Sequence, residues 1–583
     1  LVLAEHGRDL HVRFAIEEGA PTLLTHISVD IQAEPAKQEE LCTTVLKALS
    51  GALDAPELAT RDPKMKEPCA ATATTLRYRS DDVAATTEKL RDLLYQTGRP
   101  RAQVELETVP NGPDRMSAHY KLRRLDEVRV GKIVIRGNFK TRESVIREQL
   151  GLREGTPLTR SARDEGIANV RRTGLFDAVN IEFPDLCGVD ATSRTCASGS
   201  AVVNGVLRVE ERFDHRAELE LVAGGSTYQG LFGGATLAMR NIAGLGLVWT
   251  INATVGTKIT ELESQFQIPE WLAPLPFRTE LTGLYRQQDT PRFGVLTTEG
   301  ASVSLAHQFQ RSHSASEDAR VITWNILRYD FRLRTREVDA IRTIGANQDS
   351  AQVAVSTRTS SLGMAVVWDQ RVDRNGQLSP LAPEGGFLAE AAISYAESAV
   401  IGQDTFVKLA ASGSKFWTIR ENLLLRWDLR IDWGIPLGGA VLLPEVERFF
   451  AGGDSTVRGY SDDRMATELI QVGVPPIGSN LTQIRIIPAG GNIRGLGSLD
   501  GQMKIYPIPG GFLAGALFSD LGMITNTWAS TKLEDFRPSV GMGLRVLTPF
   551  GVGAIEYAVP LRPQLGDDPR GRIHFYFAAR AQF

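Results

Sequence analysis

From about residue 213 onward the chain is organised in short segments that alternate apolar with polar residues, and few folds tolerate that pattern over such a length. Leu247, Trp249, Ile251, Ala253 and Val255 interleave with Thr250, Asn252 and Thr254. Leu327, Tyr329, Phe331 and Leu333 interleave with Arg328, Asp330, Arg332 and Arg334. Leu425, Trp427, Leu429, Ile431 and Trp433 interleave with Arg426, Asp428, Arg430 and Asp432. The last segment sets Ile573, Phe575, Phe577, Ala579, Ala581 and Phe583 against His574, Tyr576, Arg580 and Gln582. Successive side chains on a strand point to opposite faces, so every segment has one greasy face and one polar or charged face.

Two architectures accept such strands: a soluble sandwich with its polar face outward, or a membrane barrel with its polar face inward. The polar face favours the barrel. Arginine and aspartate alternate along Arg426, Asp428, Arg430 and Asp432, which suits a hydrated lumen where charges pair. The apolar face carries bulky aromatics, as a lipid-facing wall with interfacial girdles requires. Gly and Pro clusters separate the segments as turns. At roughly 10 residues per strand plus turns and longer outer loops, residues 213–583 accommodate about 16 antiparallel strands, an even number that places both ends of the sheet on one side. No run approaches the ~18–20 apolar residues of a membrane helix. Hydrophobic residues make up 42% of the chain, and a barrel leaves that average ordinary because half its strand residues face water.

With 583 residues the chain exceeds one hydrophobic core, and its first third follows a different pattern. Residues 21–125 and 126–212 repeat one plan, strand-helix-helix-strand-strand, a compact α+β module. Each copy opens with a strand (His26 to Ile31; Lys132 to Ile135) and continues with helices over 40–49 and 81–96, or over 142–150 and 163–172. Val83, Leu90, Leu93 and Leu94 recur at three- and four-residue steps as a core-facing stripe. Each second helix ends at Thr-Gly, at Thr97-Gly98 and Thr173-Gly174, where glycine takes the left-handed cap. Strands over 102–108 and 116–122, and over 178–183 and 201–209, close the two units. Residues 1–20 begin without the features of a signal peptide, and 10–19 read as the closing strand of an upstream unit.

The 4 cysteines form two local pairs, Cys42 with Cys69 and Cys187 with Cys196, each inside one expected domain. Neither has metal-ligand spacing. Two disulfides in an oxidising compartment such as the periplasm fit this distribution; four separate thiols are the other reading. HExxH, GxSxG and GxxxxGK[ST] are absent, and the 8 histidines are scattered. No catalytic residue, metal or cofactor is therefore expected. A net charge of -4 gives no reason to expect nucleic acid as a partner.

Two stretches carry a family resemblance. Ile133-x-Ile135-x-Gly137-Asn138, then Gly155-x-Pro157 and Thr173-Gly174-Leu175-Phe176-x-x-Val179, resembles a POTRA (polypeptide-transport-associated) domain. The first copy matches less closely, with Arg99-Pro100 in place of Leu-Phe. Further on, the run from Arg448 to Tyr460, Arg-Phe-Phe-Ala-Gly-Gly-Asp-Ser-Thr-Val-Arg-Gly-Tyr, resembles the signature of the outer-membrane β-barrel assembly and translocation superfamily, in its TamA-like and BamA-like forms. Phe518-x-Asp520-x-Gly522 resembles the same superfamily's inner-wall motif.

That resemblance implies α+β POTRA repeats followed by an all-β transmembrane barrel. It also implies that Arg458, Gly459 and Tyr460, with Gly452, Gly453 and Ser455, lie on a long outer loop folded back into the lumen. A planar guanidinium holds a carboxylate bidentately, so Arg458 is expected to pair with Asp520, beside Phe518 and Gly522. Members often add a glutamate on the preceding strand; around Gln502-Met503-Lys504-Ile505 there is no acid, which leaves Arg458 without an expected second anchor. His574 is expected as a lumen-facing polar residue. Phe575, Phe577 and the terminal Phe583 resemble the aromatic C-terminal signal of outer-membrane barrels.

The activity implied is insertion or translocation of unfolded client polypeptides across the outer-membrane bilayer. Clients would add to a weakly paired seam between the first strand (216–224) and the last (571–583). POTRA domains in the periplasm would engage clients or a periplasmic partner protein. A two-partner-secretion transporter for one dedicated substrate is the alternative within the superfamily. A passive outer-membrane channel would account for the barrel but not for the N-terminal repeats or for Arg458-Gly459-Tyr460.

Overall fold

The computed structural model describes the chain apart from residues 1, 7–8, 14–20, 34, 63–68, 74–75, 185, 187–200, 213–216, 274–276, 291–293, 313–320, 342–351, 374–382, 400, 466–468, 475–482, 549–550, 564–566 and 583. It divides into two compact units, Leu1–Asp214 and His215–Phe583.

Within the first unit, helices Pro35–Leu53 and Ser80–Gln96 pack on a four-stranded sheet. Its order is Ala70–Thr72, Leu23–Ile31, Arg115–Arg123, Gln103–Pro110, with the two central strands parallel. The core joins Val45, Leu46 and Leu49 of the first helix to Leu90 and Leu94 of the second and to Ile27, Tyr120 and Leu122 of the sheet. The 3.6-residue stripe thus faces inward as its spacing requires. Ala70–Thr72 is an addition to the expected plan, since three residues are too short to show alternation. Cys69 immediately before it is bonded to Cys42 of the first helix, with the Cα atoms 5.7 Å apart. That covalent tie pins the edge strand to the helix. Of the two disulfides expected, this one is present; Cys187 and Cys196, expected to form the other, both lie outside the described residues.

The second repeat has helices Glu143–Leu150 and Arg160–Arg172 and a three-stranded sheet ordered Arg129–Arg136, Val202–Glu211, Phe176–Glu182. Gly98 and Gly174 follow the second helix of each repeat at φ +80° and +71°, the left-handed region that glycine enters without penalty. The repeats touch through Arg163, whose guanidinium lies over the Tyr95 ring at 5.6 Å. At the N-terminus, Val2–His6 pairs antiparallel with Asp9–Arg13; the rest of the expected upstream strand lies outside the described residues.

In the second unit, sixteen strands close into an antiparallel barrel among the described residues. They are β1 (Ala217–Ser226), β2 (Gly230–Ile242), β3 (Leu247–Gly256), β4 (Ile259–Ile268), β5 (Arg278–Thr290), β6 (Gly294–Ser312), β7 (Val321–Ile341), β8 (Gln352–Asp369), β9 (Gly386–Ala396), β10 (Phe406–Arg420), β11 (Leu423–Pro436), β12 (Ile493–Ile508), β13 (Gly511–Thr525), β14 (Arg537–Thr548), β15 (Gly551–Pro560) and β16 (Arg572–Gln582).

The apolar rows point outward: Trp249, Val255, Tyr329, Trp427, Leu429, Ile431, Ile573, Phe575 and Phe577 are all exposed on the outer wall. The charged rows point inward and pair there. Arg332 meets Asp330 at 2.7 Å, Arg426 meets Asp428 at 2.7 Å, and Asp432 receives both Arg430 at 3.0 Å and Arg494 at 2.8 Å. A greasy outside and a wet, charge-paired inside is the arrangement of a membrane barrel and the reverse of a sandwich core.

The seam is closed. β1 and β16 pair in continuous register from Glu220↔Gln582 to Ser226↔Tyr576. On its other side β16 pairs with β15 over a similar length, from Gly551↔Ala579 to Ala558↔Arg572. Among the described residues this ladder of seven pairs is the shortest in the barrel, but it is closed, since an open edge in hydrocarbon leaves main-chain N–H and C=O groups with no water to bond.

Candidate functional site

Residues 437–492 connect β11 to β12; Leu469–Val474 and Gln483–Pro488 pair with each other as a separate hairpin, while the stretch from Leu443 to Met465 folds back into the lumen. Phe449 and Gly491 exchange main-chain hydrogen bonds of 2.9 and 3.0 Å, and Met465 N donates to Ala451 O at 2.9 Å. Arg448 holds the base by donating to the Leu443 and Ala489 carbonyls at 2.9 and 3.2 Å. Gly452 and Gly453 have φ of +111° and +95°, so the chain reverses there. Gly453 N then donates to Tyr460 O at 3.0 Å and closes the tip on itself. Ala451, Val457, Tyr460, Met465 and Ile524 form a small apolar cluster beneath the tip.

The tip presents Arg458 to the inner wall. Its Nε donates to Asp520 Oδ2 at 2.8 Å and its Nη2 to Asp520 Oδ1 at 2.7 Å, the bidentate pair expected. The Arg458 backbone N–H adds a third bond to the same carboxylate at 3.1 Å. Asp520 is 1% exposed, so it is tied to the loop three times out of reach of bulk water. The guanidinium carbon stands 3.3 Å from the Phe518 ring centroid, a stacked cation–π contact. Neighbouring inward residues on β13 thus supply a carboxylate and a ring face to one side chain.

The structure corrects the expectation of a single anchor. Arg458 Nη1 also reaches Asp500 on β12 at 3.3 Å and Glu556 on β15 at 3.0 Å. Asp500 lies two residues before Gln502, so it shares the inward face of the strand whose later residues hold no acid. Arg545 on β14 bonds both extra acids, Asp500 at 2.5 Å and Glu556 at 2.7 Å. Three carboxylates and two guanidiniums form one network, and each charge has a partner, as burial requires. Ser498 donates to Asp520 Oδ1 at 2.8 Å.

Gly459 lies flat against the wall. A Cβ there would be 2.6 Å from Ser539 Cβ and 2.8 Å from Pro560 N, so no larger residue fits without moving the tip. Tyr460 is fully buried, and its hydroxyl donates to the Pro538 and Arg562 carbonyls. Gly522 faces Val457 and Met465 at the same close range. Ser455 is exposed and is not drawn to the wall. His574 is buried, and its Nε2–H donates to the Arg458 carbonyl.

Sequence reasoning missed Glu447, which fastens the loop to the facing part of the barrel. It is 7% exposed, bonded to Arg336 of β7 and Lys408 of β10, and within reach of the Thr359 hydroxyl of β8 at 3.4 Å. Lys408 also lies 5.2 Å from the Phe449 ring. The loop therefore crosses the lumen between Glu447 on one side and Arg458 on the other. An acid next to a loop motif carried no local signal of this role.

Of the remaining expected residues, Phe575 and Phe577 lie on the outer face of β16. Phe583 falls outside the described residues, as do Cys187 and Cys196. Among the described residues, no group of three His, Cys, Asp or Glu could hold a metal ion. The carboxylates at Arg458 are instead paired with arginine, so what the site does in this structure is hold the loop tip against the wall.

Comparison with known proteins bears on the family. The Omp85 superfamily domain matches residues 241–580. The POTRA family, described as surface antigen variable number repeat, matches residues 128–194. The outer membrane protein assembly factor BamA of Nitratidesulfovibrio vulgaris is 21% identical over 521 residues, covering 86% of this chain and 57% of that protein. BamA of Neisseria meningitidis serogroup B is 21% identical over 547 residues, covering 84% of this chain and 62% of that protein. The chain thus spans about three-fifths of the length of these relatives. Among solved structures, BamA from Haemophilus ducreyi lacking POTRA domains 1-3 superposes with a TM-score of 0.65 at 16% identity, covering 97% of this chain and 100% of that one. CdiB from Escherichia coli superposes with a TM-score of 0.52 at 13% identity, covering 98% and 92%. At these identities the structural likenesses concern the fold.

Proposed function

This chain belongs to the Omp85 superfamily, an outer-membrane barrel with POTRA domains in the periplasm, and on that footing we propose that it inserts or translocates client polypeptides. The observation that carries the reading is the loop seated across the lumen, with Arg458 held by Asp520 on the inner wall. A channel for small solutes has no use for a buried, multiply bonded arginine in its path, whereas a barrel that must open for a polypeptide needs a part that moves.

In this reading a client strand adds to the edge of β1 or β16 when the seam parts, through main-chain hydrogen bonds. The POTRA sheets end in edge strands, Gln103–Pro110 in the first repeat and Phe176–Glu182 in the second, and these would take a client or a periplasmic partner by the same strand addition. Arg458, Gly459 and Tyr460 act as the lock that seats the loop between cycles.

Depletion of the protein in cells, followed by an outer-membrane proteome, tests the proposal. Broad loss of barrel proteins supports insertion of many clients, and loss of one secreted protein supports a dedicated transporter. An unchanged proteome, together with brisk passage of small sugars through reconstituted protein, would leave only a pore.

A further inference from the structure

The loop tip lies over the seam and bonds to both sides of it. On the β1 side, the Tyr228 N–H in the β1–β2 turn donates to Asp454 Oδ2 at 3.2 Å. On the β16 side, Arg572 donates to Ser461 Oγ and His574 donates to the Arg458 carbonyl. The main-chain ladder of the seam ends at Ser226↔Tyr576. Just beyond it, Thr227 N donates to Phe575 O at 3.1 Å and Phe575 N to Thr227 Oγ1 at 3.0 Å. The loop contacts therefore begin where the ladder stops.

The seam depends on such help because its side chains contribute little. The pairs Ala223↔Ala579 and Gly224↔Ala578 are small against small, and cross-strand side-chain pairs are a main source of sheet stability. A ladder held chiefly by its main chain frays from its ends, where local opening is easiest. Fixing Tyr228 and Arg572 to one third body suppresses fraying at that end.

We propose that residues 454–461 latch the seam from inside the lumen, so that withdrawing the loop frees the β1–β2 turn from the start of β16. The inference deepens the reading of the seam as the place where clients add and takes its purpose from that reading, while the latch itself is a property of the resting barrel. It couples the lock at Arg458 to the gate: undocking the arginine also removes the Arg458 carbonyl from His574 and carries Asp454 and Ser461 away from the seam.

Amide hydrogen exchange of the full chain in lipid nanodiscs tests this without any client. The Asp454→Ala/Ser461→Ala variant should speed exchange of the seam amides 220–227 by about tenfold, with the β5–β6 amides unchanged. Arg458→Ala should do the same. Arg572→Met leaves the carboxylate network at Arg458 untouched, so it serves if the others fold poorly, and it should give a smaller change in the same direction. Unaltered seam exchange in the folded variants, with protease cutting showing the loop displaced, overturns the latch. Faster seam exchange with undiminished client insertion keeps the latch and removes the client reading instead.

Discussion

Arg458 and Asp520, 62 residues apart in the chain, meet through two side-chain hydrogen bonds of 2.7 and 2.8 Å and one from the Arg458 backbone. A loop and a wall strand are thereby fixed to each other at one carboxylate. Because Asp500 and Glu556 share the same guanidinium, the lock is a network, and its response to substitution follows from that.

Asp520→Ala removes three bonds but leaves Arg458 two carboxylates. Breaking a buried pair typically costs about 3–5 kcal/mol, and the remaining acids place this variant near the lower end. Arg458→Ala leaves Asp520 buried with no cation beside it, held only by Ser498 and the backbone N–H of residue 458, and should cost more. Urea unfolding in a bilayer, with protease cutting between 454 and 465 as a local probe, checks the order of the two.

Glu447→Gln leaves Arg336 and Lys408 facing each other across a neutral amide. The base of the loop should loosen at a cost on the order of 3 kcal/mol, while the Arg458 end stays docked. Planar-bilayer recordings should show larger or more frequent conductance steps than the parent protein. Unchanged recordings would mean that Glu447 adds nothing to closure.

Gly459→Ala keeps every charge yet places a methyl 2.6 Å from Ser539 Cβ. Overpacking of this kind costs about 1–3 kcal/mol. Its proteolysis pattern should therefore resemble that of Arg458→Ala in kind and be weaker in degree. A pattern identical to the parent would show that the wall yields at Ser539.

Leu429→Arg puts a charge on the outer face of β11, at a cost of about 2–4 kcal/mol if it lies near the midplane of the bilayer. Loss of stability in lipid should be far greater than for Ser412→Arg on the neighbouring strand, whose side chain lies on the lumen side. Equal losses would contradict the outward direction of the apolar rows.

Reduction of Cys42–Cys69 opens a loop of 27 residues, for which chain-entropy arguments give about 3–4 kcal/mol. Hydrogen exchange in 21–125 should quicken under reductant, while exchange in the barrel strands holds steady.

How much of this was legible depended on whether the signal was local. The strand alternation, the helical stripe of Val83, Leu90 and Leu94, and the Thr-Gly helix ends are all written within a few neighbouring residues. Arg458 and Asp520 were matched through two short motifs. Asp500 and Glu556 were not, although their parity marks both as inward, because parity says nothing about which inward residues stand at the same height. Register and strand tilt set that height. Glu447 was invisible for a related reason: its partners, Arg336 and Lys408, are 111 and 39 residues away.

The amino-acid order alone determined that each strand has a wet and a greasy side, since side-chain direction follows from backbone geometry between adjacent residues. That sufficed for a barrel of about the right number of strands behind two α+β repeats. Only the folded chain decided that the seam is closed, that Arg458 serves three acids, and that the loop tip bridges β1 and β16. Those outcomes depend on shear, closure and the path of a long loop, which bring together groups that no short stretch of sequence contains.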